Sequence, residues 1–361
     1  MESIFKDERF LYIDYLPERL PHRDNEINSI ADAFKPAAKG KKPTNLIIMG
    51  PSGIGKTACI KFVVREFSSS FQRILPIYIN CFENSTRLGI LTFINSKFQN
   101  PLPRRGISID EAYTELKEVF SKSDKVPIII FDEADQLIYK NSTNILYDIV
   151  RLQDAVGKIL GITLITNNPT FDLYLEPRII SSLAAEYLHF EPYNPQQLKD
   201  ILRQRAEKAF LKGYVQKEAI ALVAAYAAKH KGDCRLALEA LLKAGRIADR
   251  KGEKLSVKHV KEALSKMEKN PARKYLFGLE ENEKILLYIL AKNNGCLNSG
   301  KLYEEFHKLS SLGERRIRML LQRLEKLKLV SLEEKVGRGK TRIIKLQLDK
   351  ELIIQSFKSS I

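Results

Sequence analysis

At 361 residues the chain exceeds the roughly 250–300 residues at which a single hydrophobic core stops growing, so two or three domains are expected. Hydrophobic residues make up 44% and charged residues 29%, an ordinary globular composition, and no apolar run approaches the ~20 residues of a membrane span. The formal charge of +16 is uneven: residues 1–190 are neutral, with 23 basic and 23 acidic side chains, whereas residues 191–277 carry 20 against 10 and residues 278–361 carry 17 against 11. A neutral front joined to a basic rear suggests an engine coupled to a polyanion-binding module; solvated lysine-rich helix faces are the plainer alternative for 191–277.

The start, Met1-Glu2-Ser3-Ile4-Phe5-Lys6, lacks the sections of a signal peptide. Cys59, Cys81, Cys234 and Cys296 are widely spaced without a CxxC pair, and His189, His230, His259 and His307 have no ligand spacing. Export, a disulfide framework and a zinc site are therefore not expected, and a reducing cytoplasm fits.

In chain order, Asn45–Met49 reads as a buried strand followed by Gly50-Pro51-Ser52-Gly53-Ile54-Gly55-Lys56-Thr57 and then a helix to about Phe67. This is a complete P-loop in its required context: glycines let the backbone curl around phosphates, and the helix N-terminus favours the anion. Residues Gly50–Ala58 are the candidate ATP/ADP-binding loop, with Lys56 on the β- and γ-phosphates and Thr57 on Mg²⁺. Leu75–Asn80 is a second strand and Ile128–Phe131 a third, ending in Asp132-Glu133-Ala134-Asp135. An acidic pair at a strand's C-terminal end suits metal chemistry: Asp132 for the Mg²⁺ shell, Glu133 to orient and deprotonate water.

Ile162–Thr166 is a fourth strand, followed by Asn167-Asn168-Pro169. Asn167 is the candidate for the γ-phosphate or the attacking water, since the following proline draws Asn168 into the loop; an Asn-Asn-Pro turn without chemistry is the alternative. Arg178 stands where the motor's edge would face a neighbour, either to neutralise charge in that neighbour's site or as a surface ion-pair residue. Strand-forming runs separated by helical lengths predict a parallel sheet with crossover helices. From Asn194 the apolar spacing turns helical, predicting a small helical domain in which Arg235, opening a helix, reaches back to the nucleotide.

After a break at Asn270-Pro271, helices are predicted at Glu280–Asn293, Ser299–Leu309 and Ser310–Leu329, then strands Leu329–Glu334 and Thr341–Leu348 around a glycine-containing basic loop. Three helices and a basic hairpin predict a winged helix-turn-helix. Arg315, Arg316 and Arg318 would enter a major groove, with Lys335, Arg338, Lys340 and Arg342 on phosphates or in a minor groove. Protein docking with solvated charges is the alternative.

Together these boxes resemble the AAA+ ATPases: P-loop, Asp-Glu box, strand-end Asn167, Arg178 and Arg235 match the superfamily's Walker A, Walker B, sensor-1, arginine-finger and sensor-2 positions in order. More narrowly, Leu20-Pro21-His22-Arg23-Asp24-Asn25-Glu26-Ile27, Pro177-Arg178 with Ser181-Ser182-Leu183 and the Gly-Asp-x-Arg lid helix are similar to the archaeal initiator branch related to the origin recognition complex and the cell-division-control helicase loader. The resemblance covers nearly the whole chain.

It implies a base domain over residues 1–190, a lid over 191–270 and a winged-helix domain over 271–361. His22 and Arg23 become nucleotide neighbours. It also implies a motor insertion within 85–121 that touches DNA, making Arg104 and Arg105 phosphate-contact candidates, although an arginine pair in a proline loop is otherwise a solvated turn. The implied function is an ATP-binding initiator with slow hydrolysis, acting on origin duplex DNA with initiator paralogues and the replicative helicase, and without a membrane. A transposition helper or regulator, or a paralogue that modulates initiation, are the alternatives. The wing lacks the aromatic that the family often places between its glycines.

Overall fold

The structure is a computed structural model that describes residues 3–103, 106–268, 279–310, 312–327, 329–334, 342–348, 350 and 353–354. The chain divides into two compact units, residues 1–260 and 261–361.

The first unit begins with a 3-10 turn at Glu8–Leu11, then α1 (Asp24–Ala38), β1 (Leu46–Met49), α2 (Lys56–Ser70), β2 (Ile74–Asn80), α3 (Arg87–Lys97) and α4 (Ile109–Lys122). There follow β3 (Val126–Asp132), α5 (Asp135–Tyr139), α6 (Asn144–Val156), β4 (Gly161–Thr166), α7 (Pro177–Leu183) and β5 (Glu186–His189). The five strands form a parallel sheet in the order β2-β3-β4-β1-β5. β1, β3 and β4 are buried at every position, as continuous apolar strands covered on both faces must be.

One face packs Ile77, Ile129, Phe131 and Leu164 against Leu91, Leu116, Phe120 and Ile149. The other packs Ile48, Ile128 and Ile130 against Phe34, Ile60 and Val63. The buried Asn45 ties the strand starts together: its amide nitrogen donates to Leu183 O at 2.6 Å, Ile162 N donates to its Oδ1 at 2.8 Å, and Glu186 N donates to its carbonyl at 2.9 Å. The sequence spacing missed β5. Its residues Glu-Tyr-Leu-His form an edge strand that is largely exposed, so no apolar run announces it.

A helical subdomain follows, with α8 (Pro195–Ala209), α9 (Lys217–Lys229), α10 (Cys234–Lys251) and α11 (Val257–Glu268). Asn194 and Gln197 form a reciprocal cap at the start of α8, and Pro195 occupies its first turn, where a missing N–H costs nothing.

The C-terminal unit contains α12 (Glu281–Lys292), β6 (Cys296–Asn298), α13 (Ser299–His307), α14 (Glu314–Lys326), β7 (Val330–Glu334) and β8 (Arg342–Leu346). Its strands form an antiparallel sheet in the order β6-β8-β7, the element order a winged helix requires. Ile317, Leu320, Leu321 and Leu324 face a core with Leu286, Leu290, Phe306 and Ile344. β6 is too short to register as a run of its own. α14 begins at Glu314 rather than at Ser310, because Gly313 is extended and caps it. The junction at 270–271 lies outside the described residues.

Candidate functional site

β1 feeds the P-loop, at the point in the sheet where β1 has β4 on one side and β5 on the other; strand ends at such a reversal form a crevice. Gly53 (φ +81°) and Gly55 (φ +96°) lie in the left-handed region, which a glycine enters without strain. A Cβ on Gly53 would fall 1.9 Å from Asp233 Oδ1, so the loop passes hard against the first residue before α10. The loop borders a cleft of about 430 Å³, lined on its phosphate-loop side by Gly53, Gly55, Lys56, Thr57 and Ala58 and across from it by Glu133, Asn167 and Arg235.

Lys56 is buried, and its ammonium donates to Gly50 O at 2.6 Å, Pro51 O at 2.7 Å and Asn167 Oδ1 at 2.7 Å. Burial lowers its pKa to about 8, against the opposing pull of Glu133 and Asp132. Asn167 continues the chain by donating from Nδ2 to Glu133 Oε2 at 2.6 Å. Glu133 sits at φ +55°, a left-handed turn that lifts its carboxylate off the strand axis. Burial first, and then the neighbouring Asp132, raise its carboxyl above the usual range. The Thr57 hydroxyl donates to Asp132 Oδ2 at 2.8 Å, which places the two metal-ligand candidates side by side.

Behind this row stand residues the sequence reading left without a role. The Tyr78 hydroxyl donates to Asp132 Oδ2, and burial raises its pKa so that it stays a donor. Asp135, buried, accepts from the Thr166 hydroxyl and from Asn167 N at 3.2 Å, and so fixes the strand end that carries Asn167. Asn168 instead closes a turn, its Oδ1 accepting from Thr170 N at 2.9 Å. The fourth residue of Asp-Glu-Ala-Asp was the legible signal for Asp135; Tyr78 gave none.

The helical subdomain closes over the loop. Asp233 caps α10, accepting from Arg235 N at 2.8 Å, while Cys234 N donates to Gly53 O at 2.9 Å. From this anchored first turn Arg235 Nη2 donates to the Ser52 hydroxyl. His22 and Arg23 do not line the cleft. His22 pairs with Asp200 at 3.1 Å. Arg23, 3% exposed, donates to Ile54 O at 2.9 Å and Glu191 O at 2.7 Å, pairs with Glu26, and stacks over Tyr193 at 4.0 Å; it props the loop from behind. Arg178 lies away from the cleft, half-exposed, paired with Glu176 at 2.6 Å and over the Tyr147 ring at 4.9 Å. The cleft's far end is apolar, with Ile13, Tyr15, Leu16, Leu20, Ile201 and Leu238; of these only Leu20 belongs to a box noted in the sequence above.

In the C-terminal unit, Arg315 and Arg316 are exposed on α14 and have no ion-pair partner among the described residues. Arg318 pairs with Glu314 at 3.1 Å, and with Arg342, Ser299 and Tyr303 it lines a shallow recess between α13, α14 and β8. Arg104, Arg105, Lys335, Arg338 and Lys340 lie outside the described residues.

Family models match at two places: an AAA domain over residues 39–174 and a Cdc6 AAA+ ATPase-type lid domain over residues 199–265. The ORC1-type DNA replication protein of Pyrococcus abyssi is 36% identical over 368 residues, which cover 96% of this chain and 88% of that protein. The chain belongs to the ORC1-type DNA replication protein family. It is thereby an AAA+ ATPase that binds nucleotide.

The structure of the Aeropyrum pernix ORC1 protein in complex with DNA is similar at a TM-score of 0.87 and 32% identity, covering 100% of this chain and 98% of that one. The Aeropyrum pernix ORC2 protein in its ADPNP-ADP complexes shares the fold at a TM-score of 0.66 and 22% identity. Among the described residues of this ORC1-type chain, no helix is long and apolar enough to cross a membrane.

Proposed function

We propose that this chain is an ATP-controlled replication initiator that binds origin duplex DNA, works beside initiator paralogues and assists loading of the replicative helicase. The observation that carries the reading is the unbroken row Lys56–Asn167–Glu133 across the cleft, with Arg235 reaching the P-loop from the opposite wall. Residues 1–190 act as the base, 191–270 as the lid and 271–361 as the DNA-binding end.

The left-handed glycines, the buried ammonium and the adjacent Thr57 and Asp132 fit a nucleoside triphosphate and its cation. Lys56 holds the β- and γ-phosphates, and Arg235 senses the γ-phosphate from the lid. Glu133, whose carboxyl is already biased toward taking a proton, orients and deprotonates the attacking water, with Asn167 fixing its direction. Thr57 and Asp132 are the residues that would hold Mg²⁺, which when bound neutralises phosphate charge. Arg178, exposed and turned from its own cleft, serves a neighbouring subunit's site. Hydrolysis is slow and works as a timer or release step.

On DNA, Arg315, Arg316 and Arg318 enter a major groove while Arg342 lies on phosphate or in a minor groove; that the Aeropyrum pernix ORC1 protein forms a complex with DNA supports a DNA-binding role. Lys335, Arg338 and Lys340 belong to the wing contact, and Arg104 and Arg105 to a second contact in the base. Nuclease footprinting across the host's origins tests the proposal. ATP and ADP are expected to give different protection, and Glu133→Gln is expected to hold the ATP pattern while the unaltered chain relaxes to the ADP pattern. Equal protection of origin and non-origin DNA, indifferent to nucleotide, would sink it.

A further inference from the structure

Asp132 is 4% exposed, and among the described residues no ammonium or guanidinium pairs with it. Neutral donors hold its carboxylate instead. Glu133 N donates to Oδ1 at 2.9 Å, Thr57 Oγ1 donates to Oδ2 at 2.8 Å, and the Tyr78 hydroxyl donates to the same Oδ2. Two of these donors belong to the cleft: Thr57 is the other metal-ligand candidate, and Glu133 N sits in the left-handed turn that carries the Glu133 carboxylate. Tyr78 does not line the cleft and reaches Asp132 from a neighbouring strand.

The sheet explains why a tyrosine stands there. β2 pairs in parallel with β3, placing Tyr78 opposite Ile130 and Asn80 opposite Asp132. Residues two apart share a face, and two steps along a strand cover about 6.5 Å, a reach that a tyrosine hydroxyl makes and a shorter side chain does not. Asn80, directly across from Asp132, closes the turn after β2 instead, accepting from Phe82 N at 3.0 Å and donating to Glu83 Oε1 at 3.2 Å. The ring is held in turn by Lys61, one turn beyond Thr57 on α2, whose ammonium lies over it at 5.0 Å.

We propose that Tyr78 is a positioning residue for the divalent cation of the nucleotide site, acting through Asp132. The proposal rests on the nucleotide reading of the cleft and adds what aims the acidic ligand. A carboxylate on a single bond can swing; Glu133 N fixes one oxygen and Tyr78 fixes the other, so that Oδ2 stays on the side of Thr57. Partners of this kind, one step behind a ligand, typically govern metal affinity by ~10–100-fold.

The test titrates the ADP-loaded full chain with Mn²⁺, standing in for Mg²⁺, and counts the free ion by electron paramagnetic resonance. Tyr78→Phe keeps the ring and its packing and is expected to weaken Mn²⁺ binding about tenfold. ADP affinity measured in a chelator stays unchanged, which also shows that the variant folds. In an Asp132→Ala background the same Tyr78→Phe change is expected to add nothing, because the group it acts through is gone. Unchanged Mn²⁺ affinity, an equal Mn²⁺ loss with and without Asp132, or a matching fall in ADP affinity under chelation overturns the proposal. An unaltered chain that binds ADP neither with nor without Mn²⁺ defeats the nucleotide reading instead.

Discussion

The two units display their charged side chains in opposite ways. On the P-loop side of the cleft the buried charges are engaged: Lys56 on carbonyls and Asn167, Asp132 on Thr57 and Tyr78. On α14, Arg315 and Arg316 stand exposed without ion-pair partners among the described residues. A buried, interlocked set aims at one ligand in one pose, and losing any member leaves others unsatisfied. An exposed set works by charge, adds nearly independent increments and is screened by salt. On the proposed reading, recognition is concentrated in the first unit and distributed in the second.

The largest expected effect comes from removing the centre of the interlocked set. Lys56→Ala takes away the ammonium and is expected to weaken ATP binding about a hundredfold or more, in line with losing several charge-assisted bonds. Equilibrium dialysis measures it, and tight ATP binding by this variant would remove Lys56 from the phosphate role.

A gentler probe of the same side chain is pH. Because burial brings its pKa to about 8, Lys56 in the protein without nucleotide gives up its proton as pH rises through that value, whereas a bound phosphate would keep it charged. Affinity is therefore full below pH 8 and falls above it, by about tenfold one unit higher. Nucleotide titrations at a series of pH values check this, and the Lys56→Arg variant is expected to flatten the dependence. The smallest effect belongs to the distributed set: Arg316→Ala is expected to weaken duplex binding about threefold to tenfold and reduce the salt slope by about one, as for one lost phosphate or base contact. An unchanged slope in salt-titrated binding would detach α14 from DNA.

What the sequence made visible follows the same division. The P-loop, Asp132-Glu133 and Asn167 could be read because strand ends and a glycine loop are local patterns, and the fold brings those residues within bonding distance. The buried stripe of α14 was equally plain from its spacing. The rest depends on contacts between distant segments. Arg205 is an ordinary helical arginine until Phe10 and Tyr15 are laid across it, and Tyr78 is a strand residue until β3 pairs beside β2 and brings Asp132. His22 and Arg23 were identified by resemblance as nucleotide neighbours, yet here Arg23 supports the P-loop through Ile54 O. β5 escaped notice because an exposed edge strand has no hydrophobic signature.

The crowding at Gly53 has a consequence for how the machine tolerates change. Since Asp233 occupies the space any side chain at Gly53 would need, and Cys234 N donates to Gly53 O, even an added methyl group would hold the start of α10 off the P-loop. The P-loop's middle glycine is thus doubly committed, to the curl of its own backbone and to letting a remote helix shut.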